Sequence, residues 1–198
     1  MLPAHVETEI AALASQYGEP ARFYIQLAPA TFSPICDDDR TSEVCMIVQR
    51  TDGRLLTSIK DYYPEGAFRL LTGGVRHGEP IEQALEREIW EETGLETEVA
   101  RFLAVLEYYL GDVRPDEMPD FATYAFLVTE LGGTFTNNDP DERVAAYREI
   151  AIDELPAMAA HLRATPDQYS DDVKGSWRDW GAFRAAVHEL SYELLRQP

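Results

Sequence analysis

Positive charge and cysteine are scarce in this sequence, and it has no long apolar run. Lysine and arginine total 17 against 36 aspartates and glutamates, a formal net charge of -19. Such a field repels phosphate backbones and anionic lipid, so nucleic acid and membrane surfaces are excluded as expected partners. It also means that an anionic substrate would have to be drawn in by something other than net charge, and a bound divalent metal is the obvious source. The two cysteines, Cys36 and Cys45, match no redox or zinc spacing; they read as reduced thiols, with one disulfide between them as the alternative. No apolar stretch reaches the roughly 18 residues needed to span a bilayer. The start, Met1 to Ala11, is acidic and lacks both a basic head and an apolar run, so no signal peptide is expected and the reading is cytoplasmic. Internal repeats and low-complexity tracts are absent too.

What is present is an ordinary globular composition: 198 residues, 45% hydrophobic and 27% charged, enough for one domain with extensions at its ends. Helical spacing of Val6, Ile10 and Leu13 predicts a helix over Val6 to Tyr17, followed by a strand over Ala21 to Ala28. Thr31 to Ser42, with Pro34 and Asp37-Asp38-Asp39, reads as a loop that closes an N-terminal extension, residues 1–42. An α/β pattern then runs from 43 to 163. Val44 to Gln49 and Arg54 to Ile59, joined by Thr51-Asp52-Gly53, predict a hairpin. Phe68 to Leu71 is short and apolar, and Gly73, Gly74 and Gly78 mark a glycine-rich loop. Pro80 suits the first position of a helix that Gly94 closes. Strands are expected over Thr97 to Tyr109 and Phe121 to Thr129, with an acidic loop, Gly111 to Asp120, between them. A polar loop over Gly132 to Glu142, a last strand at Ile150 to Ile152 and a helix opening at Asp153 follow. Residues 164–198 form a C-terminal extension with a helix over Trp177 to Leu195. Its stripe of Trp177, Trp180, Phe183, Val187, Leu190 and Leu194 reads as core packing or a dimer contact.

The chemistry concentrates between Gly73 and Leu95. Glu88, Glu91 and Glu92 stand at i, i+3 and i+4, so a helix gathers them on one face. A solvated acidic face would lie opposite the apolar stripe. Instead, with Glu88 at zero, Ile81, Ala84, Leu85 and Ile89 fall at about 20°, -40°, 60° and 100°. The three glutamates thus extend the stripe that faces the core, whereas Gln83 and Glu86 fall on the far side, with Glu82 at its edge. Carboxylates aimed at the protein body are costly unless they bind cations or are paired. Oxygen-only ligands select a hard ion, Mg²⁺ or Mn²⁺, over zinc. The glycines ahead of the helix let a ligand approach the backbone, and the helix N-terminus favours anions.

Gly73, Glu79, Arg87, Glu88, Ile89, Glu91, Glu92, Gly94 and Leu95 fill every specified position of G-x5-E-x7-R-E-U-x-E-E-x-G-U, where U is bulky and aliphatic. The segment therefore resembles the signature of the Nudix hydrolase family, and the likeness extends over roughly residues 43–163. The resemblance implies a Nudix fold, a mixed β-sheet sandwiched between α-helices. It also implies metal-dependent hydrolysis of a phosphoanhydride bond in a nucleoside diphosphate linked to another moiety. By position, Glu88, Glu91 and Glu92 would be metal ligands, with the Thr72 backbone carbonyl as a further one. Arg87 would orient a carboxylate, the alternative being a surface residue pairing with Gln83 or Glu91. Glu79 would support the loop and helix, or serve merely as a favourable charge at the helix start. Relatives often use a later loop glutamate as base or extra ligand, and Glu142 is the candidate, ahead of Glu149 and Glu117.

The segment departs from the family's habit at Leu71 and Thr72, where proline and glycine are frequent, and at Arg76 and His77, where acids are. His77 reads as an exposed loop residue rather than a base. Tyr62, Tyr63, Tyr108 or Tyr109 are candidates to line a nucleoside site, and Arg50, Lys60 and Arg69 to contact phosphates. The aromatic extensions favour a larger diphosphate, such as a nucleotide sugar, ADP-ribose or a dinucleotide, over a nucleoside triphosphate. A catalytically silent sensor with the same fold would be expected to lose box glutamates, and none is lost here.

Overall fold

Side chains along Ser42–Gln49 alternate between two apolar layers. Cys45 and Ile47 enter one buried cluster, and Val44, Met46 and Val48 enter the other, as the two-residue period of a pleated strand requires. The computed structural model describes residues 1–35, 40–112 and 117–197; Cys36, Asp37 to Asp39 and the centre of the acidic loop lie outside them, and with them the expected disulfide alternative. In chain order come α1 (Ala4–Tyr17), β1 (Ala21–Leu27), β2 (Ser42–Gln49), β3 (Leu55–Lys60), β4 (Arg69–Gly74), α2 (Ile81–Thr93), β5 (Leu95–Leu110), β6 (Phe121–Gly133), β7 (Val144–Ile150), α3 (Leu155–Arg163), β8 (Tyr169–Ser170), β9 (Gly175–Ser176) and α4 (Trp177–Leu195). Short 3-10 turns occupy Pro140–Glu142 and Ile152–Glu154.

Seven strands form one mixed sheet in the order β1-β5-β6-β2-β4-β3-β7. β1 runs parallel to β5 and β2 parallel to β6, while the other neighbours are antiparallel. One face packs on Ile10 and Leu13 of α1 and on Ile81, Leu85 and Ile89 of α2. The other packs on Leu155, Met158 and Leu162 of α3 and on Trp180, Phe183 and Val187 of α4. The aromatic stripe of α4 is thus spent on the core. No described helix is long and apolar enough to cross a membrane.

Several expectations shift. β2 and β3 meet only at Gln49 and Leu55, because β4 lies between them; the turn at Thr51 to Gly53 joins their ends, and strand periodicity carries no information about partners. Gly73 and Gly74 belong to β4 rather than to a loop, leaving 75–80 as the connection to α2. Pro80 caps α2 from an extended conformation, one residue before the first helical position. β7 begins at Val144, six residues ahead of the expected strand. It is an edge strand with most of its side chains half-buried or exposed, so it lacks the apolar run by which strands are read.

Candidate active site

α2 ends at Gly94, which adopts φ 63°. A Cβ there would meet the Thr134 carbonyl oxygen at 2.8 Å, so both conformation and space demand glycine. Glu88 and Glu92 continue the buried stripe of the helix at 5% and 0% exposure, while Gln83 and Glu86 are exposed. Glu91 is half-buried. On the strand side, a Cβ on Gly73 would stand 1.9 Å from Glu88 Cδ. The bare backbone of β4 is what lets the Glu88 carboxylate settle against the sheet.

Arg87 ties the elements together. Its Nε and Nη2 donate to the two oxygens of Glu79 at 2.7 and 2.8 Å. Nη1 donates to Glu88 Oε1 at 2.7 Å and to Glu91 Oε2 at 2.9 Å, and Nη2 also reaches the Gly74 carbonyl at 2.8 Å. One planar guanidinium therefore spans loop, strand and helix, a geometry an ammonium cannot reproduce. Glu79 also accepts the Arg76 backbone N–H at 2.9 Å, and its hydrogen bonds with Arg87 hold its pKa below the usual carboxylate range. Arg76 approaches the other oxygen of Glu91 at 3.6 Å.

Some oxygens are left over. Glu88 Oε2, both Glu92 oxygens and Thr72 Oγ1 are buried without a hydrogen-bond partner. Burial raises the pKa of Glu88 and pushes that of Glu92 up to about 8. Buried carboxyl oxygens with no donor are what a bound cation relieves, and an all-oxygen set suits a hard divalent ion. Among the described residues no three His, Cys, Asp or Glu side chains converge as a ready metal cage; Glu88 and Glu91 each turn an oxygen towards Arg87 instead. Thr72 lies in β4 opposite Cys45. Cys45 is a free, buried thiol.

Glu142 ends the turn Pro140–Glu142 and accepts from Lys60 Nζ at 2.7 Å. Burial works to raise its pKa, but Lys60 and Arg69 outweigh burial and hold it low. Its charge acts on both Glu88 and Glu92, so the turn brings it beside α2. Glu149 instead faces Arg50 at 3.5 Å, and the Glu117 carbonyl accepts from the amino terminus at 2.9 Å.

The other candidates separate. His77 is exposed. Tyr63 packs on Trp180 at 4.7 Å between ring centres, and Tyr62 lies under the Arg143 guanidinium at 4.4 Å. Tyr108 is buried against Phe183, and Tyr109 donates to Glu107 at 2.9 Å. Arg50 pairs with Glu130 at 2.7 Å. Lys60 and Arg69, however, meet Tyr62 and Tyr63 around a cavity of about 90 Å³ beside Thr72, Gly73 and Gly74, joined by Arg40 and Arg184. Neither of those two arginines was foreseen. A signal existed for Arg184: four residues past Trp180 and next to Phe183, it sits on the buried stripe of α4 just as the glutamates sit on that of α2. A wider groove of about 700 Å³ runs along Val75 to Ile81 and is walled by His5 and Glu9 of α1 and by Tyr124.

The NUDIX domain model matches residues 35–171. NAD-capped RNA hydrolase NudC of Edwardsiella ictaluri is 29% identical over 145 residues, 72% of this chain and 47% of that protein. NudC of Shigella flexneri is 30% identical over 155 residues, covering 77% and 49%. The chain thus spans about half the length of these curated relatives. Among solved structures, an ADP-ribose pyrophosphatase from Streptococcus suis aligns over 79% of this chain and 92% of its own, with a TM-score of 0.47 and 19% identity.

Proposed function

Since the chain belongs to the Nudix hydrolase family, we propose that it hydrolyses a phosphoanhydride bond in a nucleoside diphosphate linked to another moiety, with a divalent metal ion. One observation carries this reading: the helix of the family signature turns Glu88 and Glu92 into the protein body and leaves three of their oxygens buried without a partner. Glu88, Glu91 and Glu92, with the Thr72 carbonyl, would hold Mg²⁺ or Mn²⁺. When bound, such an ion polarises phosphoryl oxygens, offsets the charge that develops on them and lowers the pKa of a bound water.

The remaining work falls to the chain's own groups. Arg87 fixes the directions of Glu88 and Glu91 and limits their mutual repulsion. Glu79 anchors Arg87 to the loop. Glu142, kept ionised beside Lys60, is the candidate acceptor for a proton from the attacking water. The groove along Val75 to Ile81 has the volume of a small-molecule site and is the proposed seat of the nucleoside. The NudC relatives are named for acting on NAD-capped RNA, so a capping nucleotide carried on RNA joins the substrates to be tried, against the exclusion drawn from net charge.

The test is a panel of nucleotide sugars, dinucleotides, ADP-ribose, nucleoside triphosphates and NAD-capped RNA, incubated with Mg²⁺ and resolved by mass. Cleavage between two phosphorus atoms of at least one member is expected. Intact substrates across the panel would count against the reading.

A further inference from the structure

The small cavity beside β4 is built of cations. Arg40, Lys60, Arg69 and Arg184 line it, together with Glu142. Glu142 answers Lys60 at 2.7 Å, and Glu43 is shared by Arg184 at 2.6 Å and Arg40 at 3.2 Å. Arg69, only 2% exposed, donates to the Tyr63 hydroxyl and the Leu70 carbonyl; among the described residues it makes no close ion pair, and Glu92 and Glu43 act on it from farther off. Asp172, also at the wall, is bound to Arg143 at 3.1 Å. Arg143 is shared with Asp61 at 2.7 Å, so five cations face the four carboxylates Glu43, Glu142, Asp172 and Asp61, a surplus of one positive charge in a chain whose net charge is -19.

Donors are left over as well. Arg184 is 5% exposed, yet its Nε is buried with no acceptor, as is Arg40 Nε. A buried guanidinium N–H without an acceptor carries its full desolvation cost. These two mirror the unpartnered glutamate oxygens on α2. Gly73 and Gly74 account for the adjacency. They are neighbours in β4: a Cβ on the first would strike Glu88, and one on the second would come within 2.8 Å of Arg40 Nε. The bare backbone of one strand therefore brings the glutamates of α2 and the basic cavity side by side. At about 90 Å³ the cavity is small enough to suit a single tetrahedral oxyanion.

We propose that this cavity seats a terminal phosphoryl group, the unsubstituted end phosphate of the substrate. The seat stands on its own geometry. That its occupant belongs to the substrate rests on the hydrolase reading and narrows it to compounds ending in a free phosphate, such as nucleoside triphosphates. The C-terminal helix, expected from sequence only to pack and to favour a larger diphosphate, supplies Arg184 to this seat.

Two variants with opposite signs test the proposal. Lys60 lies at a strand end and is only partly buried, so Lys60→Met is tolerable to the fold; it removes one charge and frees Glu142 to repel an anion. Glu142→Gln releases Lys60 and adds a net positive charge. Titration calorimetry with orthophosphate should show binding to the wild-type chain, at least tenfold weaker binding to Lys60→Met and severalfold tighter binding to Glu142→Gln, a gain that a damaged fold cannot produce. No binding to the wild type, or no response to either variant, overturns the seat. In turnover with Mg²⁺, Lys60→Met should raise KM for a nucleoside triphosphate severalfold more than KM for a diphosphate esterified at both ends, whatever it does to kcat through Glu142. Cleavage of doubly esterified diphosphates alone would keep the hydrolase reading and overturn the terminal-phosphate assignment. Orthophosphate binding that follows the expected variant order, with no substrate cleaved, would keep the seat and end the hydrolase reading.

Discussion

Arg87 and Glu79 form a two-point ion pair, Nε to Oε1 at 2.7 Å and Nη2 to Oε2 at 2.8 Å. The pair crosses from α2 to the loop that precedes it, and the same guanidinium holds Glu88 and Glu91. Glu79 is therefore the far anchor of the group that aims the carboxylates. Arg87→Lys, which keeps the charge and loses the fork, is expected to retain the fold and lower kcat by roughly 100-fold through misplacement of the carboxylates. Glu79→Gln should act in the same direction. Because both changes break one device, the double variant should lose little more than either single one. Steady-state kinetics on the three variants decides the matter; losses that multiply would show two independent roles.

Glu92 gives the metal-free protein a pH dependence. Burial raises its pKa from 4.5 to about 8, so between those values the folded chain keeps a proton that the unfolded chain releases. Stability from this group is full below pH 4.5 and is lost as pH rises through about 8. In EDTA, Glu92→Gln should therefore melt above the wild type at pH 8.5, with the gap closing towards pH 5. Added Mg²⁺ should raise the Tm of the wild type by mass action and have much less effect on the variant. Parallel melting curves in EDTA at both pH values would contradict the burial of an unpaired carboxylate.

His188 has the opposite sense. Its Nε2 accepts the Leu70 N–H at 2.9 Å, which leaves Nδ1 to donate to the Arg184 carbonyl at 2.8 Å. The ring is thereby fixed as one neutral tautomer, and burial lowers its pKa from 6.5 to about 4. Between those values the unfolded chain binds the extra proton, so stability falls as pH drops from 6.5 towards 4. The loss amounts to about 3 kcal/mol at most. Denaturant titrations from pH 7 to 4 should show a shallower fall for His188→Gln than for the wild type. An equal slope would assign the acid sensitivity to other groups.

The reach of the sequence was uneven for reasons that these residues make plain. α2 was legible because its punctuation and its stripe are local: Pro80, Gly94 and a 3.6-residue period need no knowledge of partners. The inward turn of Glu88 and Glu92 followed from the same period. The insertion of β4 between β2 and β3 was not legible, since pairing is a long-range choice among strands that are all apolar. The basic cavity was half legible. Lys60 and Arg69 flank the signature and invite attention, but Arg184 arrives from a helix more than a hundred residues away in the chain, and only its place on a buried stripe hinted at it. Glu142 was reachable by resemblance alone, because nothing local tells a glutamate in a polar turn that Lys60 waits across the sheet.

The central claim is that inward carboxylates on one helix hold a divalent ion for phosphoanhydride cleavage, and divalent-dependent turnover of wild type and Glu91→Gln tests it most directly. With EDTA the wild type should be inactive, Mg²⁺ or Mn²⁺ should restore it, and Glu91→Gln should stay down by at least two orders of magnitude in restored buffer while keeping its fold by circular dichroism. Turnover that survives chelation, or a variant as fast as the wild type, would contradict the account.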